Sequence, residues 1–289
     1  VWVSTESWKG RKMKYCFLRY IGGKHRITGE IAKRLRDTGK NCLVEVFGGS
    51  AAVMLNSGFE KRVYNDLDGD LVNLFRVMAN RELRRELLQQ LRCLPISRQI
   101  FNEDSALYAR GGYSFAKIKD KVERARATFY RQAVVFGGKM RNGGFQVSAY
   151  GRKHVKEIGK YRDNLKRFAE FGEFFRNTVI ENLHYRDLIR FYGKNRDVVL
   201  FVDPPYPGIK YDYYSIPFGK EDHFFLADQL LTTPAPVVCT FYDNETVREL
   251  YPEKYWKYDI VRTTKNSGSQ IYGHHKEKVN ELILTRKEK

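Results

Sequence analysis

The 289-residue chain has no window approaching 18 apolar residues and no apolar segment near its N-terminus, so it reads as having neither a membrane-spanning helix nor a secretory signal. Cysteine is scarce. Cys16, Cys42, Cys93 and Cys239 are scattered, show no CxxC spacing and mostly sit in apolar runs, a pattern of buried free thiols in a reducing, cytoplasmic setting. His274 and His275 lack partners at metal-ligand spacing, so no metal is expected. There is no internal repeat. Acidic residues are also few: 34 Asp and Glu face 52 Lys and Arg, giving a net charge of +18 and a pI near 9.7. A chain this basic attracts polyanions, and its 42% hydrophobic and 14% aromatic residues are enough to build a large packed core rather than a disordered tail.

The positive charge is concentrated. Between Arg110 and Arg167 there are sixteen Lys or Arg against the four acids Asp120, Glu123, Glu157 and Asp163, which is 16 − 4 = +12 of the +18. Aromatic residues such as Tyr113, Phe129, Tyr130 and Phe145 interrupt this stretch, which reads as a nucleic-acid-binding insert. The chain begins at Val1, and Met13 directly precedes the first recognisable element, so residues 1–12 read as an upstream extension.

Hydrophobic spacing supplies the rest of the plan. Ile27, Ile31 and Leu35 predict a helix, and Cys42 to Val46 form a short apolar strand that stops at Phe47-Gly48-Gly49-Ser50. A helix over residues 51–56, a strand over 62–64 ending in Asn65-Asp66, and a helix carrying Leu71, Leu74, Val77 and Met78 follow. The basic stretch predicts helices around residues 122–135 and 155–168, separated by a glycine-rich loop. Strands at 178–180, 198–202, 237–241, 259–261 and 279–284 and helices at 222–231 and 246–250 complete the pattern. The run Val198 to Val202 is apolar throughout, as in strands buried on both faces of a parallel sheet. Alternating strands and helices predict an α/β, Rossmann-like open sheet whose ligands sit beyond the carboxyl ends of the strands. The expected division is a catalytic domain of residues 13–94 and 172–289, interrupted by a mainly helical recognition domain of residues 95–171.

Asp203-Pro204-Pro205-Tyr206 lies at one such strand end. An exocyclic aromatic amine is a poor nucleophile because its lone pair is delocalised into the ring, and acceptors that draw it toward tetrahedral geometry restore its reactivity. Asp203 and the Pro204 carbonyl are suited to this, because the prolines stiffen the loop and remove backbone donors. Tyr206 can stack on a base swung out of a duplex. By themselves the four letters are equally consistent with a stiff turn; their place after a buried strand favours chemistry.

The run FLRYIGGK at 17–24, VEVFGGSAAV at 44–53, NDLDGDLVNLF at 65–75, DPPY at 203–206, RNGGFQVSAYGR at 141–152 and KVNELILT at 278–285 together resemble the Dam-type, alpha-class adenine-specific DNA methyltransferases. The resemblance spans roughly Cys16 to Lys287 and preserves the family's motif order. It implies a methyltransferase sheet, S-adenosylmethionine as cofactor, double-stranded DNA as substrate and methylation of adenine N6. It also implies that Asp203, Pro204 and Tyr206 are catalytic and that Tyr20, Lys24, Phe47, Gly48, Gly49, Asp66 and Asp203 line the cofactor. Asp66 would serve the ribose hydroxyls. Asp187 resembles an acid near the cofactor's adenine and equally suits a helix N-cap. Arg19, Arg141, Asn142 and Arg152 are the implied DNA contacts. Several positions depart from the pattern: Tyr20 replaces Trp, Val46 replaces Pro, Ser50-Ala51 replace glycine, and Ser148-Ala149 replace Pro-Phe. A catalytically inactive DNA-binding relative and a methyltransferase acting on cytosine or RNA remain the alternative readings.

Overall fold

The structure is a computed structural model, and it describes residues 17–18, 20, 22–146, 152–208, 217–264 and 278–288. The upstream extension expected at residues 1–12, together with Cys16, Arg19 and the pair His274-His275, lies outside the described residues. Among the described residues no helix is long and apolar enough to cross a membrane.

Among the described residues seven strands form one sheet: β1 (Cys42–Glu45), β2 (Lys61–Asn65), β3 (Val179–Glu181), β4 (Val198–Val202), β5 (Val237–Tyr242), β6 (Trp256–Thr264) and β7 (Lys278–Arg286). Their order is β3-β2-β1-β4-β5-β7-β6. The first five are parallel, and β7 enters antiparallel between β5 and β6. The chain reverses its direction of travel across the sheet between β1 and β4, which pair directly. A crevice must open above their carboxyl ends, where the two outgoing loops diverge.

Burial explains the apolar runs. All five residues of β4 are buried; Val199 and Phe201 enter the core on one face while Val198, Leu200 and Val202 enter the core on the other. One face is covered by α1 (Thr28–Asp37), α2 (Ala52–Ser57) and α3 (Gly69–Ala79), the opposite face by α9 (Tyr185–Tyr192), α10 (Lys220–Thr232) and α11 (Glu245–Leu250). The result is a three-layer, Rossmann-like α/β architecture.

The connection from β2 to β3 contains far more than α3. It adds α4 (Arg81–Cys93), α5 (Arg98–Arg110), α6 (Lys121–Val134), α7 (Arg152–Lys166) and α8 (Phe168–Arg176). Spacing did not reveal α4 or α5; in α4 only Arg84, Leu87 and Leu91 are buried, with Leu83 and Leu88 partly covered. The single helix expected over 155–168 is two, α7 and α8. Phe129, Tyr161, Phe168 and Phe171 belong to the same core as Phe75 of α3, with Phe17 in contact with Phe129, Phe168 and Phe171 at ring centroid distances of 4.5–5.8 Å. The expected boundary at 171 therefore falls inside α8, and helices on both sides of it share one interior.

The charge of this region is also placed differently from what a one-signed stretch suggests. On α6, Arg124 reaches Asp70 at 2.6 Å, Arg126 is bidentate to Asp104 at 2.8 and 2.9 Å, and Arg131 donates to the Met140 carbonyl at 2.6 Å. These arginines are partly or wholly buried, and two of them, Arg124 and Arg126, pair with acids that lie outside the Arg110–Arg167 stretch. Exposed cations on this region include Lys117, Lys119, Lys121, Lys160, Arg162 and Lys166. Burial pushes the Asp104 carboxyl upward while Arg126 pulls it back, so the pair depends on mutual contact. Asp104→Ala should destabilise the fold by about 3 kcal/mol, the scale for stranding one member of a buried pair. Chemical denaturation checks this; a change under about 0.5 kcal/mol would mean that the pair does not tie α5 to α6.

Candidate active site

The crevice above β1 and β4 is lined from several directions. Tyr20, Gly22 and Lys24 come from the segment before α1; residues 45–50 follow β1; Asp66, Leu67 and Asp68 follow β2; Asp203 to Tyr206 follow β4. His184 and Tyr185 at the start of α9, Phe218 and Asp222 near the start of α10, Tyr242, and Lys139 from the loop after α6 close it.

The glycine loop is fixed by its neighbours. A side chain at Gly48 would meet the Tyr64 ring at 2.2 Å, and Gly49 sits at φ +49 with the Tyr20 ring 3.1 Å from the place of its absent Cβ. Both glycines therefore admit aromatic rings of the protein itself. Ala51 adopts φ +55, a left-handed conformation better suited to the glycine that the family pattern leads one to expect here. Asp66 anchors the loop, accepting from the Gly49 amide at 2.7 Å and from the Asp68 amide at 2.8 Å. Each of its oxygens keeps a further lone pair for a ligand. Phe47 stacks on Tyr185 at 5.6 Å and meets Phe218 edge-on, which makes an aromatic wall on one side.

At the other end, Asp203 is held by two partners. Its Oδ1 accepts from the Thr240 hydroxyl at 2.8 Å, and its Oδ2 lies 2.8 Å from the Lys24 ammonium. Lys24 also donates to the Gly22 carbonyl at 2.6 Å, lies 3.4 Å from Glu281 and sits 4.8 Å above the Tyr206 ring. The Tyr206 hydroxyl donates to Glu281 at 2.8 Å, and the ring packs edge-on against Tyr242. Tyr206 is thus a braced ring with the ammonium on its face, and burial, followed by the charges of Asp203 and Glu281, pushes its hydroxyl well above the usual range.

The crevice is rich in acids despite the basic composition. Glu45 is buried, and burial together with the Asp203 charge pushes its carboxyl upward against the opposing Met54 amide; its Oε2 has no hydrogen-bond partner among the described residues. Asp68 caps α3 through the Asp70 amide. Burial, then the charges of Asp70 and Asp66, raise its carboxyl to about 7.

Of the residues expected from sequence, Tyr20, Lys24, Phe47, Gly48, Gly49, Asp66, Asp203, Pro204 and Tyr206 converge on this crevice. Asp187 does not. It lies in the first turn of α9, largely exposed and paired with Arg190 at 2.7 Å, and the N-cap is His184; the acid that lines this wall is Asp222. Arg141 and Asn142 lie away from it on a hairpin-like loop closed by Phe136–Gly144 and Gln146–Val134 hydrogen bonds. Asn142 is exposed at φ +58, and the half-buried Arg141 stacks 4.3 Å over the Tyr113 ring. Arg152 begins α7, its side chain outside the described residues. Sequence reasoning missed Glu45, Asp68, Tyr185, Asp222, Thr240 and Glu281, although Glu45, Asp68 and Glu281 sit inside motifs that it quoted.

Comparison with known proteins decides the family. Residues 20–266 match the family described as D12 class N6 adenine-specific DNA methyltransferase. The chain belongs to this family. It is 28% identical over 242 residues to the Type II methyltransferase M.CviBI of Paramecium bursaria Chlorella virus NC1A, covering 81% of this chain and 85% of that protein. It is 28% identical over 252 residues to a DNA adenine methylase of Haemophilus influenzae, covering 81% and 82%. The DNA adenine methylase of Escherichia coli K12 is 25% identical over 292 aligned positions, covering 94% and 95%.

Asp68 gives a pH test. Its raised carboxyl means that the folded state binds a proton which the unfolded chain releases near the ordinary value of 3.8, so this residue costs stability progressively as pH rises toward about 7 and fully above it. Asp68→Asn keeps an equally good cap. The variant should match the parent melting temperature near pH 4 and exceed it by a few degrees at pH 8. A difference that does not change with pH would show that the carboxylate is not strained.

Proposed function

We propose that the enzyme takes its methyl group from S-adenosylmethionine and transfers it to N6 of an adenine swung out of duplex DNA, within a preferred sequence. The observation that carries this reading is Asp203 at the end of β4, beside Pro204 and held by Thr240 and Lys24 inside the crevice. The crevice residues suit such a cofactor. Asp66 retains acceptor capacity for ribose hydroxyls, the Phe47–Tyr185–Phe218 wall suits a purine face, and the orphaned Glu45 oxygen leaves one buried polar atom in need of a ligand. When bound, the cofactor supplies a methyl group on a positively charged sulfur, activated toward nucleophiles.

The chain's own part is to prepare the amine. Asp203 Oδ2 and the Pro204 carbonyl would accept from the two N6 hydrogens, localise the nitrogen lone pair and aim it at the methyl carbon; the carbon–nitrogen bond would form as the carbon–sulfur bond breaks, and one of the two N6 protons would leave to water. Lys24 occupies Oδ2 here, so it yields that oxygen as the amine arrives. Tyr206 presents a braced ring for the extruded base once the ammonium has moved. Recognition falls to residues 95–171, with Arg141, Asn142 and Arg152 as the contacts and Arg19 added from the N-terminal segment, and Arg141 has first to leave the Tyr113 ring.

Asp203→Ala should lower turnover by about 10²-fold or more while duplex binding persists. Single-turnover methylation measures this, and a near-parental rate would remove Asp203 from the chemistry. For recognition, Arg141→Ala should cost about 1–3 kcal/mol on the preferred site and little on random duplex. If Lys119 contacts a phosphate, Lys119→Ala should weaken both alike and flatten the log affinity against log salt slope by about one. Competition titrations at several salt concentrations separate the two, and a uniform loss for Arg141→Ala would reassign it to the backbone.

A further inference from the structure

Glu281 belongs to the closing strand and would pass for a structural residue, yet topology brings it to the chemistry. Because β7 runs antiparallel to its neighbours, its beginning, not its end, lies at the carboxyl ends of the parallel strands. Glu281 stands opposite Tyr242 of β5 and Val261 of β6 in the register. Its Oε1 accepts from the Tyr206 hydroxyl at 2.8 Å and lies 3.4 Å from Lys24 Nζ. The side chains of Lys24 and Glu281 are 5% and 9% exposed, so little water screens them.

We propose that Glu281 is a positioning residue that gives the Lys24 ammonium a second carboxylate, freeing Asp203 for the target amine, and that braces the Tyr206 ring beneath it. Two carboxylates and one ammonium leave one net negative charge under the crevice. Without Glu281, Lys24 and Asp203 would form a closed neutral pair, and releasing Asp203 would strand a buried ammonium. With Glu281, the ammonium shifts between two acceptors that it already approaches. The surplus charge also favours a cationic sulfonium over the neutral thioether left after transfer. This inference rests on reading the crevice as the S-adenosylmethionine site.

The test compares the parent protein with Glu281→Gln, which keeps an acceptor for Tyr206 but loses the charge. Calorimetry should show S-adenosylmethionine affinity falling roughly tenfold, with S-adenosylhomocysteine affinity unchanged within about twofold. Methylation kcat should fall at least about tenfold, with the KM for DNA changed less than about threefold. Glu281→Asp, which retains the charge, should keep the parental preference between the two ligands and provides the test if the Gln variant fails to fold. In a Lys24→Met background, Glu281→Gln should add less than about a twofold effect, since the charge that it balances is gone. An unchanged kcat and ligand preference in Glu281→Gln would overturn the proposal, as would equal losses of both ligands that persist in the Lys24→Met background. A parent protein that binds neither ligand would overturn the reading of the crevice itself, and this inference with it.

Discussion

The Lys24 ammonium is the point on which the site depends. Three parts of the chain far apart in sequence meet at it: the segment before α1 contributes the cation, the loop after β4 contributes Asp203, and the start of β7 contributes Glu281. Each carboxylate would be costly in so enclosed a place without it, and the ammonium would be costlier still without them. The same charge lies on the Tyr206 ring and is bonded to the Gly22 carbonyl, so the position of one nitrogen couples the N-terminal turn, the acceptor loop and the aromatic platform.

A second arrangement, built on alternate aspartates of the segment Asn65 to Asp70, joins the cofactor side of the crevice to the helical region. Asp66 holds the glycine loop, Asp68 caps α3, and Asp70 accepts from Arg124 and from the Phe115 amide. A strand end, a helix start and the packing of α6 are thus set by residues spaced two apart. This also explains how so basic a region tolerates its charge: Arg124 and Arg126 of α6 are used inside, against Asp70, Asp104 and Glu123, and the exposed cations among the described residues of 110–167 are mainly lysines.

Much of this was legible in the sequence because it depends on local pattern. The run Val198 to Val202 had to be a doubly covered strand, and Asp203 and Phe47 therefore had to lie at strand ends that meet. Residues that act across the fold were not legible in this way. Glu281 shares a face with Val279 and Ile283 in a strand that is buried from residue 281 to 284, so local spacing does not tell what an acid there meets, and its partners are 75 and more residues away. Glu45 likewise passes for a strand terminus. Asp187 looked apt by its motif, but one helical turn directs it toward Arg190 and solvent. Counting charge along residues 110–167 overstated the exposed field, since spacing alone does not tell an arginine paired in the core from one free to meet phosphate.

The central claim, methyl transfer to adenine N6 from this crevice, is tested most directly by incubating the protein with duplex DNA and S-adenosylmethionine carrying an isotopically labelled methyl group, then resolving the nucleosides by mass spectrometry. The account predicts labelled N6-methyldeoxyadenosine as the product, at a rate that collapses in Asp203→Ala. Label appearing in N4-methyldeoxycytidine, or appearing in RNA while duplex DNA stays unmodified, would contradict it.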